Sequence, residues 1–236
     1  MYNTEKLRQG LSLFGISYTE EMIEQLLVYY EMLVEKNKVM NLTAITEFDE
    51  VVEKHFLDSA SIHQYIDMSE DYTVLDMGTG AGFPGIPLKI LFPNLKIYLL
   101  DSLNKRVNFL NEVIIKLKLH DIEAFHGRAE DYAGNPKFRG NVDMCVSRAV
   151  ANLSTLSEYC LPFVKKGGQF VSYKSGNCAE EVEQSKKAIK ILGGEIEKEY
   201  KFQLGESNRA FVVIRKVKDT PKQYPRKAGT PSKNPL

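Results

Sequence analysis

The chain has 236 residues, 43% of them apolar and 26% charged, with 31 Lys/Arg against 31 Asp/Glu. That is enough chain and enough apolar surface for a full core, and it excludes the disordered, fibrous and disulfide-scaffold classes. No apolar run approaches the roughly eighteen residues of a membrane span, and the opening MYNTEKLRQG lacks a signal peptide's basic-then-apolar layout, so a cytoplasmic protein with no membrane partner is expected.

The neutral total hides a gradient. Five Lys/Arg and thirteen Asp/Glu precede residue 71, which leaves 26 positive against 18 negative side chains after it. Such asymmetry fits a face that welcomes polyanions, with solvated surface charge as the plain alternative. Cys145, Cys160 and Cys178 are odd in number and form no C-x-x-C pair, so they read as buried small hydrophobes. No metal site is expected.

Residues 1–70 read as a helical region. Leu7, Leu11 and Phe14 share one face, and Ser17 with Glu20 fits a capping box before a stripe of Ile23, Leu26, Leu27, Tyr30, Leu33 and Val34. Asn41-Leu42-Thr43 breaks the pattern. A further helix starts near Asp49, faces Val52, Phe56, Ser59 and Ile62 inward, and sets His55, Asp58 and Ser59 on neighbouring turns. The plain expectation is a His55–Asp58 hydrogen bond that fixes helix packing, with a catalytic dyad as the rival.

From residue 71 to 218 the rhythm becomes alternating strand and helix, the mark of an α/β fold with a mostly parallel sheet. Strands are expected at 73–77, 96–101, 122–126, 142–147, 168–174, roughly 195–203 and 210–216. Helices are expected at about 84–92, 104–119, 152–164 and 178–192. The last two strands have no helix between them, and Gly205–Asn208 reads as their hairpin turn. Seven strands closing in an antiparallel hairpin is the arrangement of a Rossmann-like class I methyltransferase. Residues 219–236 form a basic, proline-rich tail whose composition reads as flexible and suited to lying on phosphates.

The organising stretch is VLDMGTGAGFPGIPL, from Val74 to Leu88. Its glycines at 78, 80 and 82 follow a strand and precede a helix, the layout of a turn that brings backbone close to a ligand. A dinucleotide fingerprint needs glycine at position 83, where Phe83 stands. Asp76 would repel a pyrophosphate but could accept from an ammonium, which favours S-adenosylmethionine over a nicotinamide cofactor. Asp101 ends the second strand, where a carboxylate suits ribose hydroxyls. Gly127-Arg128-Ala129-Glu130 follows the third strand and Ser147-Arg148-Ala149 ends the fourth, all at the carboxyl edge where such folds bind ligands.

NLTAI, HFLDS, DMGTGAGFPGIPL, DSLNKRVNFL, GRAE, SRAVA, YKSG and the closing TPKQYPRKAGTPSKNPL together resemble the bacterial 16S ribosomal RNA guanine-N7 methyltransferases, the glucose-inhibited division protein B family. The resemblance runs from the N-terminal third to the last residue. The departures, Thr79 where serine is frequent and Ala60 where leucine often follows the H-x-x-D-S run, fall on no residue whose chemistry is needed. It implies transfer of a methyl group from S-adenosylmethionine to N7 of guanosine 527 in the small-subunit RNA, with the small ribosomal subunit or its RNA as partner. It also implies cofactor contacts at Gly78, Phe83, Ala129, Glu130 and Arg148, to which the turn and strand ends add Gly80 and Asp101.

Guanine N7 carries a free lone pair and no proton, so in-line displacement needs no general base, and no catalytic base is assigned. Alignment of the reacting atoms is the protein's contribution. N7 lies in the deep groove of A-form RNA, so the base must be splayed out. Candidates beside it are Arg148, Lys174 and His55, and the expected RNA contacts are Lys174, Arg226 and Lys227. The helical N-terminal region is expected to cap the cofactor cleft while the basic remainder meets RNA, and the protein is expected to act as a monomer. Three rivals stand beside this reading: a small-molecule methyltransferase, a ribosome-associated RNA-binding protein that keeps the cofactor pocket without turnover, and a nicotinamide-dependent oxidoreductase.

Overall fold

The computed structural model describes residues 2–236. The chain opens with α1 (Glu5–Leu13) and α2 (Glu20–Met40), followed by α3 (Phe48–Val51), a π-helical turn (Val52–Leu57), α4 (Asp58–Ala60) and a 3-10 turn (Ser61–Gln64). Then come β1 (Thr73–Met77), α5 (Gly85–Leu91), β2 (Lys96–Asp101), α6 (Asn104–Lys116), β3 (Ile122–His126), α7 (Ala129–Tyr132), β4 (Val142–Arg148) and α8 (Leu153–Cys160). The last elements are β5 (Val164–Ser175), α9 (Ala179–Ile191), β6 (Gly194–Leu204), β7 (Ser207–Lys216) and α10 (Thr230–Lys233). Among the described residues, no helix is long and apolar enough to cross a membrane.

The seven strands form one sheet in the order β3-β2-β1-β4-β5-β7-β6. Pairings from β3 to β5 are parallel, and β7 runs antiparallel to both β5 and β6. This is a Rossmann-like class I methyltransferase sheet, as its sequence rhythm predicts. The β6–β7 turn is tighter than expected, because both strands extend to the residues flanking Gly205 and Glu206. The predicted helix segment 152–164 is shorter in the structure, ending at Cys160, and β5 already begins at Val164.

Alternation along the strands sorts side chains into two cores. Val74, Ile97, Leu99, Val146, Val171 and Val213 face the side covered by α1 to α6, whereas Leu75, Met77, Leu100, Cys145, Phe170 and Val212 face α7, α8 and α9. The helices of residues 1–70 thus share one apolar core with the sheet. All three cysteines are free and buried.

Two local expectations need correcting. The residue that caps α2 is Thr19, whose Oγ1 accepts from Met22 N at 3.2 Å, and not Ser17. Glu20 cannot complete a capping box because its carboxylate takes both guanidinium branches of Arg8 at 2.6 Å, tying α2 to α1. The second concerns the tail. It is docked along α8: Arg139 donates to the carbonyls of Thr220, Pro221 and Tyr224 at 3.0 to 3.2 Å. Composition reads this segment as flexible because backbone carbonyls and buried charge hold it, with little help from apolar side chains.

Tyr29, which the predicted stripe of α2 omits, is fully buried and donates from its hydroxyl to Ala81 O at 2.6 Å. It fixes the glycine turn from beneath.

Candidate active site

β1 ends at Met77 between β2 and β4, and the turn that follows is built on left-handed backbone at Gly78, Gly80 and Gly82, with φ of 69°, 64° and 109°. Two amides, Gly78 N and Thr79 N, donate to Leu100 O of β2 at 2.9 and 3.2 Å. Asp76 holds the turn from inside: its Oδ2 accepts from Thr79 Oγ1 at 2.6 Å and from Gly85 N at 2.8 Å. This overturns the expectation that Asp76 faces an ammonium, since the residue is wholly buried beneath the turn. Burial raises its pKa to about 6, although the bonds from Thr79 and Gly85 and the charge of Arg148 oppose the rise. Oδ1 has no partner.

A cavity of about 420 Å³ opens above this turn. Gly78, Asp101, Ala129 and Glu130 line it, as the strand-end reading expects, together with Arg128, Tyr159 and Gly229. Asp101 is positioned by Gly80 N on Oδ2 at 2.9 Å and Leu103 N on Oδ1 at 2.8 Å, and Arg106 lies 3.4 Å from Oδ2. A carboxylate has about four acceptor positions, so capacity for ribose hydroxyls remains. The lining sets two carboxylates, Asp101 and Glu130, beside two arginines, Arg106 and Arg128, which suits the hydroxyls and polar edges of a nucleoside. The backbone approaches closely as well: a Cβ at Gly78 would stand 2.6 Å from Val150 Cγ2.

Three residues expected at the cofactor, Phe83, Arg148 and Gly80, do not line this cavity. Phe83 is buried against the N-terminal helices, its ring 4.5 Å from that of His55 and 5.4 Å from that of Tyr29. Arg148 also packs on the Phe83 ring, with its guanidinium carbon 5.0 Å from the centroid. Gly80 contributes its amide to Asp101 and does not itself reach the cavity wall. Among the described residues of the N-terminal region, 2–70, none lines the cavity either, so they do not cap it.

What the N-terminal region does wall is a second cavity of about 590 Å³, lined by Lys54, His55, Asp58, Arg148, Tyr173, Lys174 and Arg209 among others. His55, Arg148 and Lys174, the three side chains expected beside the target base, therefore come together. Asp58 organises them, with Oδ2 accepting from Arg148 Nη1 at 2.8 Å and Oδ1 from Arg209 Nε at 2.8 Å. Arg148 also donates to Lys54 O at 3.0 Å. Lys174 donates to Glu181 at 2.6 Å and to Ala151 O at 3.2 Å.

The expected His55–Asp58 hydrogen bond is absent. His55 Nε2 instead lies 2.9 Å from Thr43 Oγ1, and its Nδ1 lies 3.0 Å from Lys54 O and 3.3 Å from Arg148 Nη2. Burial, aided by the Arg148 charge, lowers its pKa to about 4, so the ring is neutral at pH 7. Asp58 is turned to Arg148 and Arg209, one on each oxygen, while the imidazole is turned to Thr43 and Lys54. Arg209 escaped sequence reasoning because only the β5–β7 pairing, Ser175 opposite Arg209, brings it here.

The two cavities meet at Ala149, whose positive φ of 56° turns the chain away from β4 and which lines both. Of the expected RNA contacts, Lys227 is exposed, whereas Arg226 is half-buried and spends Nε and Nη2 on Glu158. Its guanidinium is thus tied to α8 through two of its three nitrogens.

The family model described as rRNA small subunit methyltransferase G matches residues 22–212. A ribosomal RNA small subunit methyltransferase G from Lachnoclostridium phytofermentans is 53% identical over 97% of this chain and 95% of its own. One of the same description from Bacillus licheniformis is 49% identical over 99% of both. Among solved structures, a SAM-dependent methyltransferase from Aquifex aeolicus aligns with a TM-score of 0.54 at 20% identity, covering 77% of this chain and 98% of that one. M. jannaschii TYW2, in complex with AdoMet, aligns at 0.51 and 14% identity over 64% and 73%. These two likenesses establish the fold. The chain belongs to the rRNA small subunit methyltransferase G family of S-adenosylmethionine-dependent enzymes.

Proposed function

We propose that this chain methylates N7 of guanosine 527 in 16S ribosomal RNA, with its cofactor in the cavity above the glycine turn and the target base in the cavity walled by His55, Arg148 and Lys174. The observation that carries this reading is the shared wall at Ala149, which sets two separate, differently lined cavities against each other. S-adenosylmethionine supplies an electrophilic methyl group on a sulfonium. Gly78, Asp101, Ala129 and Glu130 would hold its adenosine end, and Gly80 would act through Asp101.

The acceptor cavity suits a nucleophile that needs no deprotonation. His55 is neutral, Lys174 is paired with Glu181, and Asp58 shares its one negative charge between Arg148 and Arg209, so these three cations are all held in ion pairs while the wall keeps a net positive charge. Such a site aligns a lone pair without protonating it, and orientation alone is worth on the order of 7 to 11 kcal/mol.

In this reading residues 71–218 are the catalytic body, 1–70 walls the acceptor cavity, and 219–236 closes the cofactor cavity at Gly229. The protein acts as a monomer in the cytoplasm on the small ribosomal subunit or its RNA. Mass-spectrometric mapping of small-subunit RNA after incubation with the protein and S-adenosylmethionine tests the assignment. A methyl group on N7 of that guanosine is expected, and transfer to another atom or nucleotide overturns it.

A further inference from the structure

The C-terminal segment makes contacts that go well beyond those of a passive extension. Lys216, itself buried, donates to Leu161 O and to Thr220 Oγ1, and Thr220 in turn donates to Leu192 O at 2.7 Å. Beyond the Arg139 clamp, the chain reaches Glu158, which sits on α8 with no measurable exposure. Its carboxylate accepts from Arg226 N at 2.7 Å, from Nε at 2.9 and 3.1 Å, and from Nη2 at 2.6 Å. All the hydrogen bonds this buried carboxylate accepts come from one residue of the tail.

A carboxylate left buried without that partner is costly, so α8 and the tail specify each other. Three residues past Arg226, Gly229 adopts φ of 80° and donates its amide to Glu130 Oε1 at 3.1 Å. Thr155 Oγ1 pins the next turn by donating to Pro231 O at 3.0 Å. Gly229, Glu130 and Tyr159, the residue after Glu158, all line the cavity above the glycine turn. The ion pair and the cavity wall are thus two ends of one short, hydrogen-bonded stretch of chain.

We propose that Glu158 and Arg226 are positioning residues for the S-adenosylmethionine site: their ion pair latches the C-terminal segment so that Gly229 fixes the Glu130 carboxylate in the cofactor cavity. The proposal rests on the reading that this cavity holds the cofactor. Arg226 then serves the cofactor and not the RNA. Because coupling between a ligand and a segment is reciprocal, cofactor binding tightens the latch as the latch tightens the cofactor.

The test uses the full-length protein as Arg226→Ala, as Arg226→Lys, and as the double variant Glu158→Gln/Arg226→Met. The last replaces a buried ion pair by neutral groups of similar length, a change that often leaves stability intact. Calorimetry should find S-adenosylmethionine bound about tenfold more weakly in the alanine and double variants, with lysine intermediate because it keeps the charge and loses the fork. KM for the cofactor rises, whereas kcat at saturating cofactor is retained. In the wild type, S-adenosylmethionine should slow tryptic cleavage after Lys222 and Lys227, and this protection should vanish in the double variant.

A folded variant with wild-type affinity for the cofactor overturns the latch. So does a loss that appears only in RNA affinity at saturating cofactor, which would return Arg226 to the RNA. A wild-type protein that binds no S-adenosylmethionine would overturn the cofactor reading itself, and with it the latch, so the two failures are told apart.

Discussion

Asp58 holds Arg148 at 2.8 Å across 90 residues of chain, and with its other oxygen it holds Arg209. The carboxylate is buried, with its side chain 6% exposed, and Arg148 is 15% exposed. Asp58→Ala therefore strands two guanidinium groups inside the acceptor cavity. Breaking a buried pair by removing one partner costs about 3 to 5 kcal/mol. Urea unfolding should register a loss of that size, and methylation of small-subunit RNA should fall while the affinity for S-adenosylmethionine, measured in the adjoining cavity, holds.

Gly78→Val tests the donor side. Valine at a φ of 69° costs about 1 to 2 kcal/mol, and its Cβ would collide with Val150 at 2.6 Å. The variant should remain folded in circular dichroism and give no calorimetric heat with S-adenosylmethionine. Binding at wild-type affinity would remove the cofactor from this turn.

Two buried groups titrate in opposition. The folded-state pKa of Asp76, about 6 against an ordinary 3.8, gives a stabilisation that is full below pH 3.8 and lost as pH rises through 6. His55, held at about 4 against an ordinary 6.5, contributes stability that is full above pH 6.5 and lost as pH falls through 4. Each amounts to about 3 kcal/mol at 1.36 kcal/mol per pKa unit, so between pH 4 and 6 they largely cancel. Across that window Asp76→Asn should gain stability relative to wild type as pH rises, and His55→Gln should lose it. Denaturant midpoints at half-unit steps of pH would show the crossing slopes, and parallel curves would contradict both assignments.

Lys227 lies in the tail beside the latch but is exposed. If it meets a phosphate, Lys227→Glu weakens RNA binding and reduces the slope of log affinity against log salt by about 0.7 for each phosphate no longer neutralised. Cofactor affinity should not change. A filter-binding series across salt concentrations with an unaltered slope would take Lys227 off the RNA surface.

Much of this architecture is legible in the residues, and for identifiable reasons. The bounds of β1, β2 and β3 follow from short apolar runs closed by Asp, Gly and Asn, and the antiparallel hairpin follows from the missing helix before β7. What escapes is where polar side chains spend their hydrogen bonds. Asp76 looks like a ligand carboxylate, but its partners are a hydroxyl three residues on and an amide nine residues on, a closure set by backbone left-handed at glycine. Glu158 has the appearance of a solvent-facing helical residue because its partner lies 68 positions away. The pairing of Arg226 with Glu158 is hidden in a basic tail for the same reason. Charge pairs of high sequence separation leave no periodic trace, and only the packed chain brings them together.

The π-helical turn at Val52–Leu57 gives the acceptor cavity a sensitivity of its own. A π turn is an α-helix carrying one surplus residue, and here Lys54, inside it, offers a carbonyl to Arg148. Deleting Phe56 or Leu57 would restore regular helix, at the cost of one buried apolar side chain. It would also rotate everything before it by about 100° relative to Asp58, carrying His55 or Lys54 off the wall while the helix itself looked healed. The segment is thus an irregularity that drift toward a more ideal helix cannot erase without dismantling the wall that Lys54 and His55 build with Arg148.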